Sequence, residues 1–251
     1  MIRTIFVLLF VVIFLVPVGI PLLFIFWLLG KAFPDAMDRA SLSVIQWVLR
    51  VIMLLSGVQL TVLGRENLPA KDQPVLYVSN HRSYYDVIIG YTLVHGLTGF
   101  VAKKEMKKIP LLSAWMKRLY CVFLDRDNAR EGLKTILLCI DQIKHGKSMW
   151  ICPEGTRNQA EEMIPFKEGS FKIAEKAGCP IVPIAFYRTD DIYENHRPAI
   201  RMTHVTIQIG CAIPVAGLDR EQKKVLGVTI QDKIQEMYLE MKDTDQEEEE
   251  D

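Results

Sequence analysis

The sequence predicts an α/β fold, a mostly parallel sheet covered by helices and preceded by a membrane-attached N-terminal helical segment. Short β-rich runs alternate with helical runs over most of the chain, and this alternation is typical of a mostly parallel sheet. The N-terminal part differs, because residues 5–29 contain no charged side chain. We therefore expect membrane-attached helices over 1–58, one α/β domain over 59–242, and an acidic, disordered tail over 243–251.

The predicted strands and helices follow one another with short connections. Strands are expected at 59–63, 75–78, 98–102, 120–124, 148–151, 181–186 and 203–209. Helices are expected at 86–95, on either side of Pro110, and at 129–145, 168–177 and 219–242. Gly146 and Gly178 mark the ends of two of these helices, as glycine often does. Neither an internal repeat nor a long linker interrupts the alternation, which indicates one domain.

The first apolar run, Ile5 to Leu29, is long enough to cross a membrane. As a continuous helix it reaches ~37 Å, which exceeds the ~30 Å hydrocarbon core of a bilayer. The run is too long for a signal peptide, and no small-residue cleavage site is found at its end. Pro17 and Pro21 predict either a kink in a spanning helix or a turn back within one leaflet, and the sequence leaves both topologies open.

A second apolar stretch, Leu42 to Val62, contains several polar residues. Gln46 and Arg50 make it a poor spanning segment and favour a helix that lies flat on the membrane, with Trp47 near the lipid headgroups. The alternative is a core helix packed on the α/β domain. The sequence does not decide between these two interpretations.

Charge and cysteine content limit the function classes. The chain has 30 basic and 30 acidic residues, so no overall charge favours the binding of nucleic acid. The cysteines are scattered singly, which indicates reduced thiols in or near a core and a domain that faces a reducing cytosol. Because the sequence has no Cys/His cluster, we expect no metal site. The five cysteines are Cys121, Cys139, Cys152, Cys179 and Cys211.

A histidine and an acid lie in the stretch 79–86, between the second predicted strand and the next helix. Histidine takes a proton from a hydroxyl group near neutral pH, and a carboxylate beside it fixes its tautomer. On one regular helix the two side chains would point ~140° apart, so they meet only if His81 lies in the loop and Asp86 in the first helical turn. The Ser83-x-x-Asp86 spacing matches a capping box and favours that arrangement. Alternatively, Asp86 only caps the helix and His81 bonds a loop carbonyl.

Three further stretches follow predicted strands and are expected at the same edge of the sheet, where parallel strands have their carboxyl ends. They are residues 123–126, 153–157 and 182–184. Arg126 and Arg157 suit a phosphate, because a guanidinium binds it through two parallel hydrogen bonds. Gly155 allows the backbone to approach such a ligand, and Lys103 and Lys104 add positive charge. Alternatively, the arginines pair with neighbouring acids and the lysines form a solvated or lipid-facing patch.

These four ordered stretches resemble the glycerolipid acyltransferases typified by bacterial 1-acylglycerol-3-phosphate acyltransferase. Residues 80–86 match the His-x4-Asp block of that family, 123–126 its second block, 153–157 its Pro-Glu-Gly-Thr-Arg block and 182–184 its fourth. One His-x4-Asp pattern is a weak signal, but four blocks in order behind an apolar N-terminus are highly specific. The resemblance covers roughly residues 60 to 215.

The resemblance implies an enzyme of phospholipid biosynthesis that needs no cofactor. His81 is then the general base on the free hydroxyl of lysophosphatidate, and Asp86 orients it. The hydroxyl attacks the thioester of acyl-CoA or acyl carrier protein, and the product is phosphatidate. The implied acceptor-binding residues are Arg126, Glu154, Gly155, Thr156 and Arg157, and the secondary candidates are Asn80, Lys103, Lys104 and Pro183.

Three residues depart from the family pattern. Tyr120 stands where the second block commonly begins with glycine, and we expect it to narrow the floor of the acceptor pocket. Cys152 replaces the usual phenylalanine before Pro153, and Phe186 stands where the fourth block often has a second proline. None of these changes removes a reacting group, so they bear on the choice of lysolipid rather than on the reaction.

Other functions stay open. One is a lysophospholipid acyltransferase or transacylase with a different acceptor. A further alternative is a glycerol-3-phosphate acyltransferase, a related enzyme. Another is a non-enzymatic, membrane-anchored lipid-binding protein, although such a scaffold has no need of His81, Asp86 and both arginines. The expected location is a bacterial-type inner or plasma membrane, with the α/β domain facing the cytoplasm. The sequence leaves open the acyl donor, the chain-length preference and the oligomeric state.

Overall fold

The computed structural model describes residues 1–126 and 128–250 and contains a seven-stranded sheet. Its strands lie in the order β1-β7-β6-β2-β5-β3-β4, and every neighbouring pair is parallel except β6 and β7. The mostly parallel sheet predicted from the sequence is therefore confirmed. The strands are β1 Gln59–Leu63, β2 Leu76–Ser79, β3 Thr98–Lys103, β4 Val122–Leu124, β5 Ser148–Ile151, β6 Ile181–Tyr187 and β7 His204–Ile209.

Helices cover both faces of this sheet. Successive side chains of a strand point to opposite faces, so Tyr77 of β2 packs with helices α1 to α5, whereas Leu76 and Val78 pack with α6, α7 and α9. The helices are α1 Ile2–Ile13, α2 Gly19–Leu29, α3 Pro34–Ser56, α4 Tyr85–Leu93, α5 Pro110–Arg118, α6 Ala129–Lys144, α7 Lys172–Ala177, α8 Arg220–Lys224 and α9 Leu226–Glu250.

The first apolar run forms one continuous helix rather than a hairpin. Helices α1 and α2 are joined by a π-helical turn, Phe14–Val18, which contains Pro17. Proline lacks a backbone N–H, and a widened turn accommodates it without ending the helix. The turn back at Pro17 and Pro21 is therefore not found. The chain reverses at residues 30–33 instead, and both this helix and α3 are long and apolar enough to cross a membrane by length and composition.

Helix α3 packs on the α/β domain, as in the second interpretation of this stretch. The Gln46 side-chain amide donates to the carbonyl oxygens of Tyr91 and Val94, at 2.9 and 2.8 Å, where α4 ends. Asp38 forms an ion pair of 2.9 Å with Arg118 of α5. These contacts make α3 part of the fold, while α3 keeps exposed apolar side chains on its outer side.

Tyr120 lies away from the site, so the expected narrowing of the acceptor pocket is wrong. Its φ of 61° is left-handed, a conformation that favours glycine. Its hydroxyl donates to Asp38 of α3. Tyr120 lies two residues before the amino end of β4. The cavity described below lies at the opposite, carboxyl ends of the strands.

The C-terminal segment is helical where a disordered tail was predicted. Helix α9 continues to Glu250, and Asp245 accepts hydrogen bonds from the Tyr187 hydroxyl at 3.2 Å and from Arg188 at 2.8 Å. Glutamate is a good helix former, so an acidic run extends a helix that tertiary contacts already hold. Asp251 lies outside the described residues, and the predicted division of the chain at 58 and 242 stays a prediction.

Candidate active site

The loop between β2 and α4 brings a histidine and an aspartate together. His81 Nδ1 lies 2.8 Å from Asp86 Oδ2, with His81 in the loop and Asp86 in the first turn of α4. Only half of the expected capping box is found among the described residues, because the helix begins at Tyr85 with Tyr84 as its N-cap. The Ser83 hydroxyl accepts the Tyr85 N–H at 3.0 Å, and Asp86 accepts the Ser83 N–H at 2.8 Å. The geometry that the five-residue spacing required is therefore present.

Asp86 is surrounded by hydrogen-bond donors. Its Oδ2 accepts the Arg82 N–H at 2.8 Å in addition to His81 and Ser83, and its Oδ1 accepts the Thr189 hydroxyl at 2.6 Å. An ionised carboxylate only accepts hydrogen bonds, so the bond to His81 places a hydrogen on Nδ1. Nε2 then keeps a lone pair that can take a proton. The His81 side chain is 18% exposed and the Asp86 side chain 2%, so the ring is the accessible member of the pair.

Glu154 connects this pair to a neighbouring cavity. Its Oε1 accepts the His81 backbone N–H at 2.8 Å, and its Oε2 accepts from Asn158 at 3.2 Å and from the Ile164 N–H at 3.1 Å. Burial raises the pKa of the Glu154 carboxyl. Because the same residue lines the cavity, the position of the histidine loop depends on the cavity wall.

A cavity of about 280 Å³ lies beside Glu154, where β3, β4 and β5 have their carboxyl ends. Four of its lining residues are basic and two are acidic, so its wall carries a net positive charge. This cation-lined cavity gathers most of the residues predicted to bind an acceptor phosphate. Its lining residues are Lys103, Lys104, Glu105, Leu124, Arg126, Glu154, Gly155, Thr156 and Lys167.

Lys167 was not predicted from the sequence. It lies outside the stretches of sequence that contain the predicted site residues. It reaches the cavity because its loop returns to Pro153, whose carbonyl accepts the Lys167 N–H at 3.2 Å. A Cβ at Gly155 would lie 2.9 Å from Lys167 Nζ, and Gly155 has a φ of 76°. Glycine at this position therefore satisfies the backbone and leaves room for the lysine.

The two predicted arginines differ in their surroundings. Arg126 is exposed, lines the cavity and forms no ion pair with the residues that the structure describes. Arg157 is not among the lining residues; its Nη1 donates to Glu194 at 2.9 Å, and its guanidinium stacks 3.8 Å from the centre of the Tyr84 ring. A guanidinium has five N–H donors, and among the described residues the hydrogen-bond acceptor found for Arg157 is Glu194.

A family model described as Acyltransferase matches residues 59–187, just over half of the chain. The chain belongs to this acyltransferase family. Among curated relatives, 1-acyl-sn-glycerol-3-phosphate acyltransferases of Chlamydomonas reinhardtii and Saccharomyces cerevisiae are 35% and 34% identical to it, over 62% and 59% of this chain. The chain spans about half the length of these two relatives, 47% and 50%.

Two further matches cover more of the chain. The 1-acyl-sn-glycerol-3-phosphate acyltransferase of Borreliella burgdorferi is 28% identical over 78% of this chain and 78% of its own length. The crystal structure of the 1-acyl-sn-glycerophosphate acyltransferase PlsC from Thermotoga maritima superposes with a TM-score of 0.83 and 24% identity, over 96% of this chain and 95% of that one. The second match establishes a common fold, including the N-terminal helices.

Two secondary candidates, one directly after β2 and one in β6, are not among the residues that line the cavity. The buried Asn80 amide donates to the Phe186 carbonyl at 2.9 Å and accepts the Phe186 N–H at 2.8 Å, so it extends the pairing of β2 with β6. A proline at 186 would lack that N–H, which explains the departure at this position. Pro183 is buried in β6, beside the pair Ile184–Ile209 where the ladder to β7 ends. Proline is compatible with that end of the ladder.

Cys152 lies between Ser79 and the charged residues of the site. Its Sγ is 3.4 Å from the Ser79 hydroxyl, and desolvation raises the pKa of the thiol to about 12. The thiol is therefore protonated at neutral pH. Only a thiolate is an effective nucleophile, so the arrangement favours direct transfer of the acyl group over a covalent intermediate at this residue.

Proposed function

We propose that this acyltransferase transfers a fatty acyl group from an acyl thioester to the free hydroxyl of 1-acylglycerol-3-phosphate and forms phosphatidate. The observation that carries the proposal is a carboxylate-bound histidine whose loop is fixed by Glu154, a wall residue of the cation-lined cavity. A general base and a phosphate site are the two groups that this reaction needs. The names of the curated relatives agree with this assignment.

The cavity is proposed to bind the acceptor phosphate. Arg126 and Lys167 lie in its wall, and Arg157 follows the wall residue Thr156. Gly155 and Thr156 contribute backbone and a small side chain to the wall, and Lys103 and Lys104 also line the cavity. Binding of the phosphate there holds the free hydroxyl beside His81, and this fixed position lowers the entropic part of the barrier.

The chemical step then follows from the His81–Asp86 pair. As the acceptor oxygen forms a bond to the thioester carbonyl carbon, its proton moves to His81 Nε2. Asp86 stabilises the resulting imidazolium through its bond to Nδ1. When the tetrahedral intermediate collapses, the C–S bond breaks and the sulfur of the donor takes the proton back from His81. The products are phosphatidate and the free thiol, with no change of oxidation state.

The donor is proposed to be acyl-CoA or acyl carrier protein. Lysines that follow β3 lie next to the cavity, and Lys107 and Lys108 in this group are exposed. An acidic carrier protein is attracted to such a patch. Replacement of Lys107 and Lys108 by glutamate tests this dock, because a carrier-dependent rate that does not change would exclude it.

Membrane attachment is proposed to use the outer side of the first helix. The Thr4 hydroxyl donates to the Pro198 carbonyl at 3.2 Å, and at the other end Phe26 packs 6.0 Å from the Trp115 ring. The helix thus lies along its own domain, and its outer side is apolar. We infer that it lies in the plane of one leaflet. The α/β domain faces the cytoplasm of a bacterial-type inner or plasma membrane, where acyl thioesters and reduced thiols occur.

The deciding experiment compares detergent-solubilised wild type with His81→Ala. Each protein receives labelled lysophosphatidate with acyl-CoA or with acyl carrier protein, and phosphatidate is quantified. We expect product from the wild type and a rate at least ~100-fold lower from the variant, in line with the loss of a general base. Equal rates would exclude His81 as the base. No product with either donor would favour a different lysolipid acceptor or a non-enzymatic lipid-binding role.

A further inference from the structure

Three buried side chains that follow β6 hold the histidine loop in place. Thr189 donates to Asp86 at 2.6 Å, and Asp190 accepts two bonds from the Arg82 guanidinium at 3.0 and 2.9 Å. Glu194 accepts the Ser83 hydroxyl at 2.6 Å and the Tyr84 N–H at 3.0 Å. Residues 189–194, here named the clamp, therefore contact three consecutive positions of the loop, 82–84, and the aspartate in the first turn of α4.

The backbone after β6 explains how the clamp reaches the loop. Arg188 has a φ of 62°, a left-handed conformation that is uncommon outside glycine, and it directly follows the last strand residue. The chain then forms a 3-10 turn, Thr189–Ile192, and the Ile192 side chain is completely buried. This anchor holds Thr189 against the first turn of α4.

The Thr189 hydroxyl donates to the Asp86 oxygen that does not bond His81. Oδ2 of Asp86 receives His81 Nδ1 and two backbone N–H groups, whereas for Oδ1 the Thr189 hydroxyl is the donor found among the described residues. A carboxylate with donors on both oxygens is held against rotation about its terminal bond. Thr189 is completely buried and is not among the residues that line the cavity.

We propose that Thr189 is a positioning residue for the acyl transfer, because its hydroxyl fixes the Asp86 carboxylate in the rotation that presents Oδ2 to His81. This inference rests on the proposed function for its kinetic consequences, since it concerns the same base. It also predicts that Thr189 affects the titration of the His81 ring, which can be measured without enzymatic turnover. The clamp thereby connects the segment that follows the fourth sequence block to the first block.

The test compares Thr189→Val, which keeps the shape of the side chain, with Thr189→Ser, which keeps the hydroxyl. We expect Thr189→Val to lower kcat by about 10- to 100-fold, the effect of one charge-assisted hydrogen bond, with KM for lysophosphatidate unchanged within about twofold. Thr189→Ser should retain kcat within about threefold. Thr92→Val is the matched control, because the Thr92 hydroxyl bonds the Ile89 carbonyl of the same helix α4 at 2.8 Å.

A second readout separates positioning from a general loss of stability. The titration of the His81 imidazole is followed by NMR in the full-length, detergent-solubilised protein, and the pH profile of kcat/KM is recorded alongside. We expect the His81 midpoint to move by at least about 0.3 pH unit in Thr189→Val and by less than about 0.1 in Thr92→Val, because only the first variant changes the donors of Asp86.

Two results would overturn the inference. One is a Thr189→Val protein whose kcat and His81 titration match the wild type, and the other is a Thr189→Ser protein as impaired as Thr189→Val. If the wild type forms no phosphatidate, the proposed function fails, but the His81 titration still decides whether Thr189 positions the pair.

Discussion

Three carboxylates fix the relative positions of the loops around His81. Asp86, Glu154 and Glu194 are buried, and each accepts at least three hydrogen bonds from other parts of the chain. Burial of a charge is costly unless donors surround it. These carboxylates therefore hold together the loops at 80–84, 154–164 and 189–194. Movement of any one loop would leave a buried charge without some of its hydrogen-bond donors.

Arg157 is predicted to contribute to acceptor binding. Arg157→Ala should raise KM for lysophosphatidate by at least about tenfold, because a charge-assisted hydrogen bond to phosphate contributes about 1.5–3 kcal/mol. KM for the acyl donor should stay unchanged. Steady-state kinetics with each substrate varied in turn measures both values.

Arg197→Ala is the control for this experiment, because Arg197 lies 3.8 Å from the same oxygen of Glu194 and is half exposed. A similar effect of the two substitutions, with kcat lowered and KM unchanged, would assign Arg157 to the support of Glu194 alone.

The cysteines provide a test of the burial pattern. Burial raises the pKa of Cys139 to about 12 and of Cys179 to about 11, and that of Cys152 to about 12, whereas Cys211 is exposed. At pH 8 the thiolate fraction is about one molecule in 10,000 for a thiol with a pKa of about 12, and about one in 1,000 for a pKa of about 11. Iodoacetamide should therefore label Cys211 well before the others.

Peptide mapping by mass spectrometry measures the labelling, with the unfolded protein as the control in which all five thiols react. Alkylation of Cys152 as fast as that of Cys211 would contradict the structure around the site.

At the level of elements, the strands and helices of the α/β domain were predicted closely from local patterns. Apolar runs such as residues 148–151 and 181–186 are short and bounded by turn residues, and these two observed strands differ from the prediction by at most one residue. The fourth strand begins two residues later than predicted, at Val122. The clamp was not predicted, because Thr189 and Asp86 are 103 residues apart and no spacing connects them. The helical end of α9 was missed for a related reason, since Asp245 depends on contacts from β6 and from Arg188, the residue that follows it.

Helix α3 is predicted to stabilise the domain through Gln46. Gln46→Ala leaves the Tyr91 and Val94 carbonyls without their donor and should lower the free energy of unfolding by about 1–3 kcal/mol. Urea unfolding in detergent measures the change. Gln208→Ala is the control, because the Gln208 amide bonds Glu240 on the surface. Equal midpoints for the two variants would indicate that α3 leaves the domain in solution.

At the level of the whole molecule, the two faces of the sheet differ in what surrounds them. Helices α1 to α3 cover one face and carry most of the large exposed apolar side chains of the described residues. Helices α6, α7 and α9 cover the other face. The cation-lined cavity opens at the carboxyl edge between these faces. A lipid acceptor has an anionic headgroup and an apolar tail. Such an acceptor needs a cationic site for the headgroup and an apolar surface for the tail, no farther apart than the length of the lipid.

Membrane attachment is predicted to depend on the first face alone. Leu9→Lys combined with Phe24→Lys, at positions that are 53% and 60% exposed, should weaken co-sedimentation with phospholipid vesicles by at least about tenfold, because each lysine costs ~2 kcal/mol or more in hydrocarbon. Leu133→Lys with Leu137→Lys on α6 is the control, since these leucines are equally exposed at 61% and 56% on the other face. Equal loss of binding in both variants would contradict the proposed orientation.

The contact between Thr4 and residues 198–200 has a consequence for biogenesis. Thr4 and its partner Pro198 are 194 residues apart, and β1 also pairs with the late strand β7. Synthesis at about 5–20 residues per second leaves the first helix without these partners for roughly 10–40 s. During that interval a bilayer surface is the apolar environment at hand. We therefore expect the nascent chain to adsorb to the membrane before the domain folds.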